Sequence, residues 1–158
     1  MSAPVRVLDL PDTAATEALG RALAAVRPAR ACLALEGELG AGKSTLARAL
    51  LRALGVGGSI RSPTYTLIER YPLADGGEAA HLDLYRLADA GELDFLGLDE
   101  LEATATLWLV EWPERGGRQL PPADLAVALQ IEGAGRRARL RALSSTGLDW
   151  LAGVPDPS

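Results

Sequence analysis

Residues 37–44 read Gly-Glu-Leu-Gly-Ala-Gly-Lys-Ser, which satisfies the spacing G-x-x-x-x-G-K-[ST]. The run Ala31-Cys-Leu-Ala-Leu-Glu36 before it is continuously apolar and suits a buried strand. After it, Leu46, Ala47, Leu50 and Leu54 recur at helical spacing. A strand, a glycine loop and a helix in that order leave little freedom of architecture. Glycines let the backbone turn without a Cβ clash and bring its N–H groups close to an anion. The helix N-terminus adds a favourable field for negative charge. The basic residues strengthen the case: of sixteen, Lys43 is the single lysine and the rest are arginine. A site that needs a slim, flexible ammonium rather than a planar fork explains why lysine stands there.

Each residue of the motif then has a task. Lys43 reaches the β- and γ-phosphates as a point charge. The Ser44 hydroxyl is a hard oxygen ligand suited to Mg²⁺, and Thr45, in the first helical turn, is placed for an α-phosphate. The main chain of Glu38, Leu39, Gly40, Ala41 and Gly42 forms the cradle. The ligand expected from these residues is a nucleoside triphosphate with Mg²⁺. Such a site also needs an acid at the end of a neighbouring strand. Glu111 ends the apolar run Thr106-Leu-Trp-Leu-Val-Glu111, and Asp83 lies in His81-Leu-Asp-Leu-Tyr85. One acid would serve the metal and the other orient an attacking water, and spacing leaves open which does which. Ser62-Pro63-Thr64 occupies the segment that often senses a γ-phosphate, although serine and threonine beside proline are also turn chemistry.

Composition bounds the rest. The chain has 158 residues, 48% of them hydrophobic and 23% charged, which fits one globular domain over 1–158. Its core is expected at about 5–152, with a loose tail over 153–158. The formal net charge is −5, so a strong grip on nucleic acid through its own surface is not expected. No apolar run approaches the roughly eighteen residues of a membrane span, and the N-terminus lacks a signal-peptide pattern. Cys32 is the only cysteine, which precludes an internal disulfide and agrees with a reduced, cytoplasmic setting.

Along the chain, Val5–Leu8 reads as a short strand. A helix capped by Asp12 or Thr13 runs to about Arg27. Tyr65–Tyr71 and Glu78–Leu84 read as a strand pair around the turn at Asp75-Gly76-Gly77. An acidic helical stretch covers Ala88–Ala103, with a break near Gly97. Leu125–Ile131 and Arg137–Leu143 alternate around Gly133-Ala134-Gly135, giving an antiparallel pair before a short C-terminal helix. His81, the sole histidine, is expected to pack or cap.

Further pruning follows from absences. With no lysine besides Lys43, an N/T-K-x-D guanine motif cannot be present, so ATP is favoured over GTP. Four strings in order then resemble the TsaE family: Gly37-Glu-Leu-Gly-Ala-Gly-Lys-Ser-Thr45, Ser62-Pro-Thr-Tyr-Thr-Leu67, His81-Leu-Asp-Leu-Tyr-Arg-Leu87 and Leu109-Val-Glu-Trp-Pro113. Leu10-Pro-Asp12 with Thr16, and Gly135-Arg136, extend the likeness. Ser44 stands where the family commonly has threonine, with the hydroxyl kept. The resemblance implies an α/β, P-loop NTPase-like three-layer fold with a mixed, mostly parallel sheet. It implies a small ATPase, weak alone, that works with TsaB and TsaD in making threonylcarbamoyladenosine beside the anticodon of tRNA. On that resemblance Lys43 would hold phosphate, and Ser44 and Glu111 would hold Mg²⁺. Asp83 would assist hydrolysis, and Thr64 would lie in the γ-phosphate-sensing segment. Asp12, Thr16 and Arg136 would lie near the nucleotide, and tRNA would be gripped mostly by the partners. Two other readings stand beside it: a small-molecule kinase with Arg115-Gly-Gly-Arg118 as lid, and a non-hydrolysing, ATP-dependent partner-binding protein.

Overall fold

The computed structural model describes residues 4–155. One sheet contains seven strands: β1 (Val5–Leu10), β2 (Ala31–Glu36), β3 (Ile68–Pro72), β4 (Glu78–Asp83), β5 (Ala105–Glu111), β6 (Leu125–Glu132) and β7 (Gly135–Ala142). The helices are α1 (Thr13–Ala25), α2 (Lys43–Ala53), α3 (Leu98–Thr104) and α4 (Ser145–Gly153). The strand order is β1-β7-β6-β2-β5-β4-β3. β2 is parallel to β5 and β6, and β4 is parallel to β5. β7 is antiparallel to both β1 and β6, and β3 to β4. β1 therefore runs with β6, and only β3 and β7 oppose the common direction. This is the expected mixed, mostly parallel sheet, with the expected antiparallel pair near the C-terminus.

Alternation along the central strands sorts their side chains onto two covered faces. Leu33, Leu35, Leu107, Leu109, Leu125 and Val127 join Leu23 of α1, Leu46 and Leu50 of α2 and Trp150 of α4 in one apolar cluster. Cys32, Ala80, Leu82, Trp108 and Val110 face the other way and pack on Leu93, Leu98 and Leu101. Three layers result, with the sheet in the middle. Asp12 caps α1 by accepting from the Ala15 amide at 2.9 Å. Gly20 brings α1 and α2 together: a Cβ there would lie 2.7 Å from the Leu46 carbonyl oxygen. The Trp150 indole donates to the Leu23 carbonyl at 3.0 Å and ties α4 to α1.

Several boundaries differ from the sequence reading. β1 runs on to Leu10, because β7 offers Arg136 and Arg137 as partners to Leu10 and Asp9. The strand expected from Tyr65 begins only at Ile68. Residues 63–66 form a turn, closed by the Leu67 amide on the Pro63 carbonyl at 2.8 Å, and Leu67 itself has φ 69°. The acidic stretch divides into a 3-10 helix, Ala90–Phe95, and α3, with Gly97 between them. The 113–122 loop carries two 3-10 turns, Pro113–Arg115 and Gly117–Gln119. Gly153 ends α4 and Val154 is buried, so the loose tail placed at 153–158 begins no earlier than Pro155, and 156–158 lie outside the described residues. No helix among the described residues is long and apolar enough to cross a membrane.

The parallel order has one consequence for chemistry. β2, β5 and β4 end along the same edge of the sheet, where α2 begins, so that edge collects their terminal side chains.

Burial, and secondarily Asp124, push the Cys32 thiol from 9.0 up to about 12. In the unfolded chain the thiol ionises near its ordinary value. The stability that Cys32 contributes is therefore complete below about pH 9 and is lost as pH rises toward 12. Denaturation at stepped pH should show stability falling above pH 9 by up to about 1.4 kcal/mol per pH unit, and Cys32→Ala should flatten that fall. Equal slopes in both chains would refute the assignment.

Candidate functional site

The loop between β2 and α2 takes positive φ at three glycines, Gly37, Gly40 and Gly42. Gly37 has φ 142°, and a Cβ on it would lie 2.6 Å from the Leu129 carbonyl oxygen. Gly42 caps α2 at φ 109°. α2 carries no side-chain cap at this end, so its first amides are oriented donors at the mouth of the loop. Lys43 folds back over the loop. Its ammonium donates to the carbonyls of Gly37 at 2.5 Å and Glu38 at 2.9 Å, and lies 4.7 Å from the centre of the Trp112 ring. The side chain is buried. Desolvation lowers the Lys43 pKa below its ordinary value, against the opposing pull of Glu111, Asp83, Glu114 and Glu38.

Facing it are the two acids. Asp83 and Glu111 are directly opposed across the parallel β4–β5 pair, and both are buried. Their surroundings differ. Glu111 receives one hydrogen bond at each oxygen: the Ser44 hydroxyl at 3.5 Å on Oε1 and His81 Nε2 at 2.7 Å on Oε2. Asp83 accepts from the Tyr85 amide at 3.1 Å and from the Thr64 hydroxyl at 3.3 Å, and Thr64 is bonded in turn to Ser62 at 2.8 Å. The turn that replaced the start of the expected strand is what brings Thr64 here: the Asp83 amide donates to the Leu67 carbonyl at 3.0 Å. Beyond Glu111 the backbone bends at Trp112, φ 58°, which turns the indole toward Lys43.

Two cavities meet at the start of α2. One, of about 240 Å³, is lined by Lys43, Ser44, Thr64, Asp83, Glu111 and Trp112 among others. The second, of about 120 Å³, lies between Asp12, Thr16, Thr45 and Arg136, on the other side of Gly40 and Gly42. The sequence-picked residues thus divide into a charged group on one side and a smaller set on the other, with the glycine loop between. Leu39 lines the larger cavity but is 61% exposed. Glu38 contributes its carbonyl to Lys43, and Ala41 is buried beneath the loop. Of the residues considered for a lid, Arg115 lies over the rings of Tyr85 and Trp112, 5.4 and 5.7 Å from their centres, and Arg118 is exposed.

Sequence reasoning did not assign His81 to the site. Its spacing of two from Asp83 put both on one face of a strand, but the register that sets His81 beside Glu111 is a property of the β4–β5 pairing. Tyr85, whose ring lies 5.0 Å from that of Trp112, was likewise unassigned.

The donor set suits a phosphate-bound divalent cation. Ser44 and Glu111 offer two hard oxygens, and among the described residues no group of three His, Cys, Asp or Glu could hold an ion by itself. An ion would need phosphate oxygens and water to complete its shell, which is how Mg²⁺ binds beside nucleotides.

Comparison with known proteins gives a consistent picture. The family model described as "Threonylcarbamoyl adenosine biosynthesis protein TsaE" matches residues 10–139. The chain is 44% identical over 113 residues to the tRNA threonylcarbamoyladenosine biosynthesis protein TsaE of Haemophilus influenzae, covering 72% of this chain and 71% of that one. It is 36% identical over 132 residues to the protein of the same name from Streptomyces coelicolor, covering 82% and 88%. The crystal structure of YdiB from Bacillus subtilis superposes with a TM-score of 0.80 at 26% identity, over 98% of this chain and 96% of that one.

The His81–Glu111 contact is a sharp test of this geometry. His81→Leu removes the donor and leaves a buried carboxylate oxygen without it, which should lower stability by about 1–3 kcal/mol in urea denaturation. His81→Gln, which keeps an N–H near the same place, should recover part of the loss. Equal losses in both variants would show that imidazole packing, not the hydrogen bond, matters.

Proposed function

The chain belongs to the TsaE family of threonylcarbamoyladenosine biosynthesis, and from that premise we propose that it is a small ATPase. It binds ATP with Mg²⁺ across the glycine loop and hydrolyses it slowly alone and faster beside TsaB and TsaD. The observation that carries the reading is the larger cavity, where Lys43, Ser44, Glu111, Asp83 and Thr64 converge on one space.

The triphosphate runs along the loop, with the nucleoside toward Asp12, Thr16 and Arg136 and the γ-phosphate toward Asp83. Lys43 leaves the Gly37 and Glu38 carbonyls and turns to the β- and γ-phosphate oxygens. The amides at the start of α2 stabilise charge that develops on the phosphoryl oxygens. Ser44 and Glu111 would hold Mg²⁺, which when bound neutralises phosphate charge. The division of labour between the acids, open from spacing, is supported by their partners. Glu111 is next to the Ser44 hydroxyl and is held by His81, which suits a fixed ligand. Asp83 is tied to the Ser62–Thr64 turn, which suits the orientation of a water against the γ-phosphorus. The products are ADP and inorganic phosphate. Among the described residues no arginine lines the larger cavity, so a slow rate in isolation is expected, and a partner that reorders residues 62–67 would raise it.

Net acidity agrees with tRNA being gripped mainly by the partners, and the cytoplasm is the setting this reading implies. The test is phosphate release from ATP by the chain alone and with TsaB and TsaD of its organism. A low basal rate that rises at least about tenfold with the partners is expected, together with loss in Lys43→Ala and in Asp83→Asn. An unchanged rate on adding partners would overturn partner activation. Release of ADP only with a metabolite acceptor would turn the reading to a kinase, and ATP binding without turnover would turn it to a binding-only role.

A further inference from the structure

Arg136 is remote in sequence from the glycine loop, yet its guanidinium is spent on it. Nε donates to the Ala41 carbonyl at 3.0 Å, and one terminal nitrogen donates to the Gly40 carbonyl at 3.0 Å. The other terminal nitrogen donates to the Gly135 carbonyl at 2.7 Å, which anchors the fork to its own strand. The two loop carbonyls lie outside the helical ladder of α2, whose first acceptor is Gly42, bonded to the Leu46 amide at 3.0 Å. The Gly40–Ala41 peptide is also held by its Ala41 amide, which donates to the Glu38 carbonyl at 3.1 Å, so it is the orientation of the Ala41–Gly42 peptide that rests on Arg136.

That orientation matters because a trans peptide points its C=O and N–H in opposite directions. A guanidinium that holds the Ala41 carbonyl also sets the direction of the Gly42 amide. Gly42 is glycine at φ 109°, a residue with more than one accessible backbone conformation. We propose that Arg136 is a positioning residue that clamps two consecutive loop carbonyls and thereby aims the Gly42 amide at the phosphate of the bound nucleotide. This rests on the phosphate-binding reading above and goes beyond placing Arg136 near the nucleotide, since the contacts are to the protein main chain. The planar fork reaches the two carbonyls from two nitrogens held at a fixed spacing, Nε and one terminal nitrogen, which the single nitrogen of a lysine does not reproduce. Gly135, beside Arg136 on the wall of the smaller cavity, lets the start of β7 lie close against β1, since a Cβ there would be 2.6 Å from the Leu10 carbonyl oxygen.

Three ligands separate a clamp from a nucleoside contact or a bare charge. Binding of ADP, inorganic tripolyphosphate and adenosine is measured by calorimetry for the wild-type chain, Arg136→Lys and Arg136→Gln. Both variants should bind ADP and tripolyphosphate at least about tenfold more weakly, by similar factors, with adenosine binding unchanged. In the ligand-free variants the Ala41 and Gly42 amide resonances should shift, while those of the central strands stay in place. Near wild-type affinity in Arg136→Lys would show that charge alone suffices and would overturn the clamp. A loss confined to ADP and adenosine would also overturn it, in favour of nucleoside contact, as would unshifted Ala41 and Gly42 resonances. A wild-type chain that binds no tripolyphosphate would sink the phosphate reading and the clamp with it, an outcome distinct from one in which only the variants change.

Discussion

The buried ammonium of Lys43 is the constraint around which the site is arranged. A cation withdrawn from water needs partners, and here they are two carbonyls of its own loop and the face of an indole. Each partner depends on something further away. The Gly37 carbonyl is in place because Gly37 sits at φ 142° against Leu129 of β6. The indole is in place because the chain turns left-handed at Trp112, directly after β5. The three elements meet because β2 lies between β5 and β6 in the sheet. Desolvation lowers the Lys43 pKa, so the unfolded chain binds that proton more tightly than the folded one. At neutral pH the charge is held there at a desolvation cost, which an anion in the loop would relieve. Functional residues commonly carry such a stability cost.

The acids extend the same logic. Asp83 and Glu111 are neighbours across one strand pair, yet only Glu111 has a histidine and the loop serine as partners, while Asp83 looks to the turn at residues 62–66. One carboxylate is fixed by the core of the sheet and the other by a surface turn. A change in that turn would reach Asp83 through Thr64. This asymmetry is how two similar side chains can serve a static and a responsive role within one cavity.

Much of this was legible in the residues themselves. The glycine loop, its flanking strand and helix, the lone lysine and both acids stand in the sequence because they follow local rules of turn chemistry and periodicity. What escaped was non-local. His81 became a partner of Glu111 through register between strands, which no single strand encodes. The run from Tyr65 had the alternation of a strand, but the left-handed Leu67 and the bond from Asp83 to its carbonyl pulled the first residues into a turn. Arg136 read as a nucleotide neighbour. Its bonds to the Gly40 and Ala41 carbonyls depend on β7 being drawn alongside β1 and β6, close to the loop.

The central claim, that the loop around Lys43 is built to receive a triphosphate, is tested most directly by thermal unfolding of the wild-type chain and of Lys43→Met, each with and without ATP and Mg²⁺. Because ligand binding to the folded state adds to stability, the wild-type midpoint should rise with ATP concentration. Lys43→Met should show little rise with ATP. An equal rise in both chains, or none in the wild type, would contradict the account.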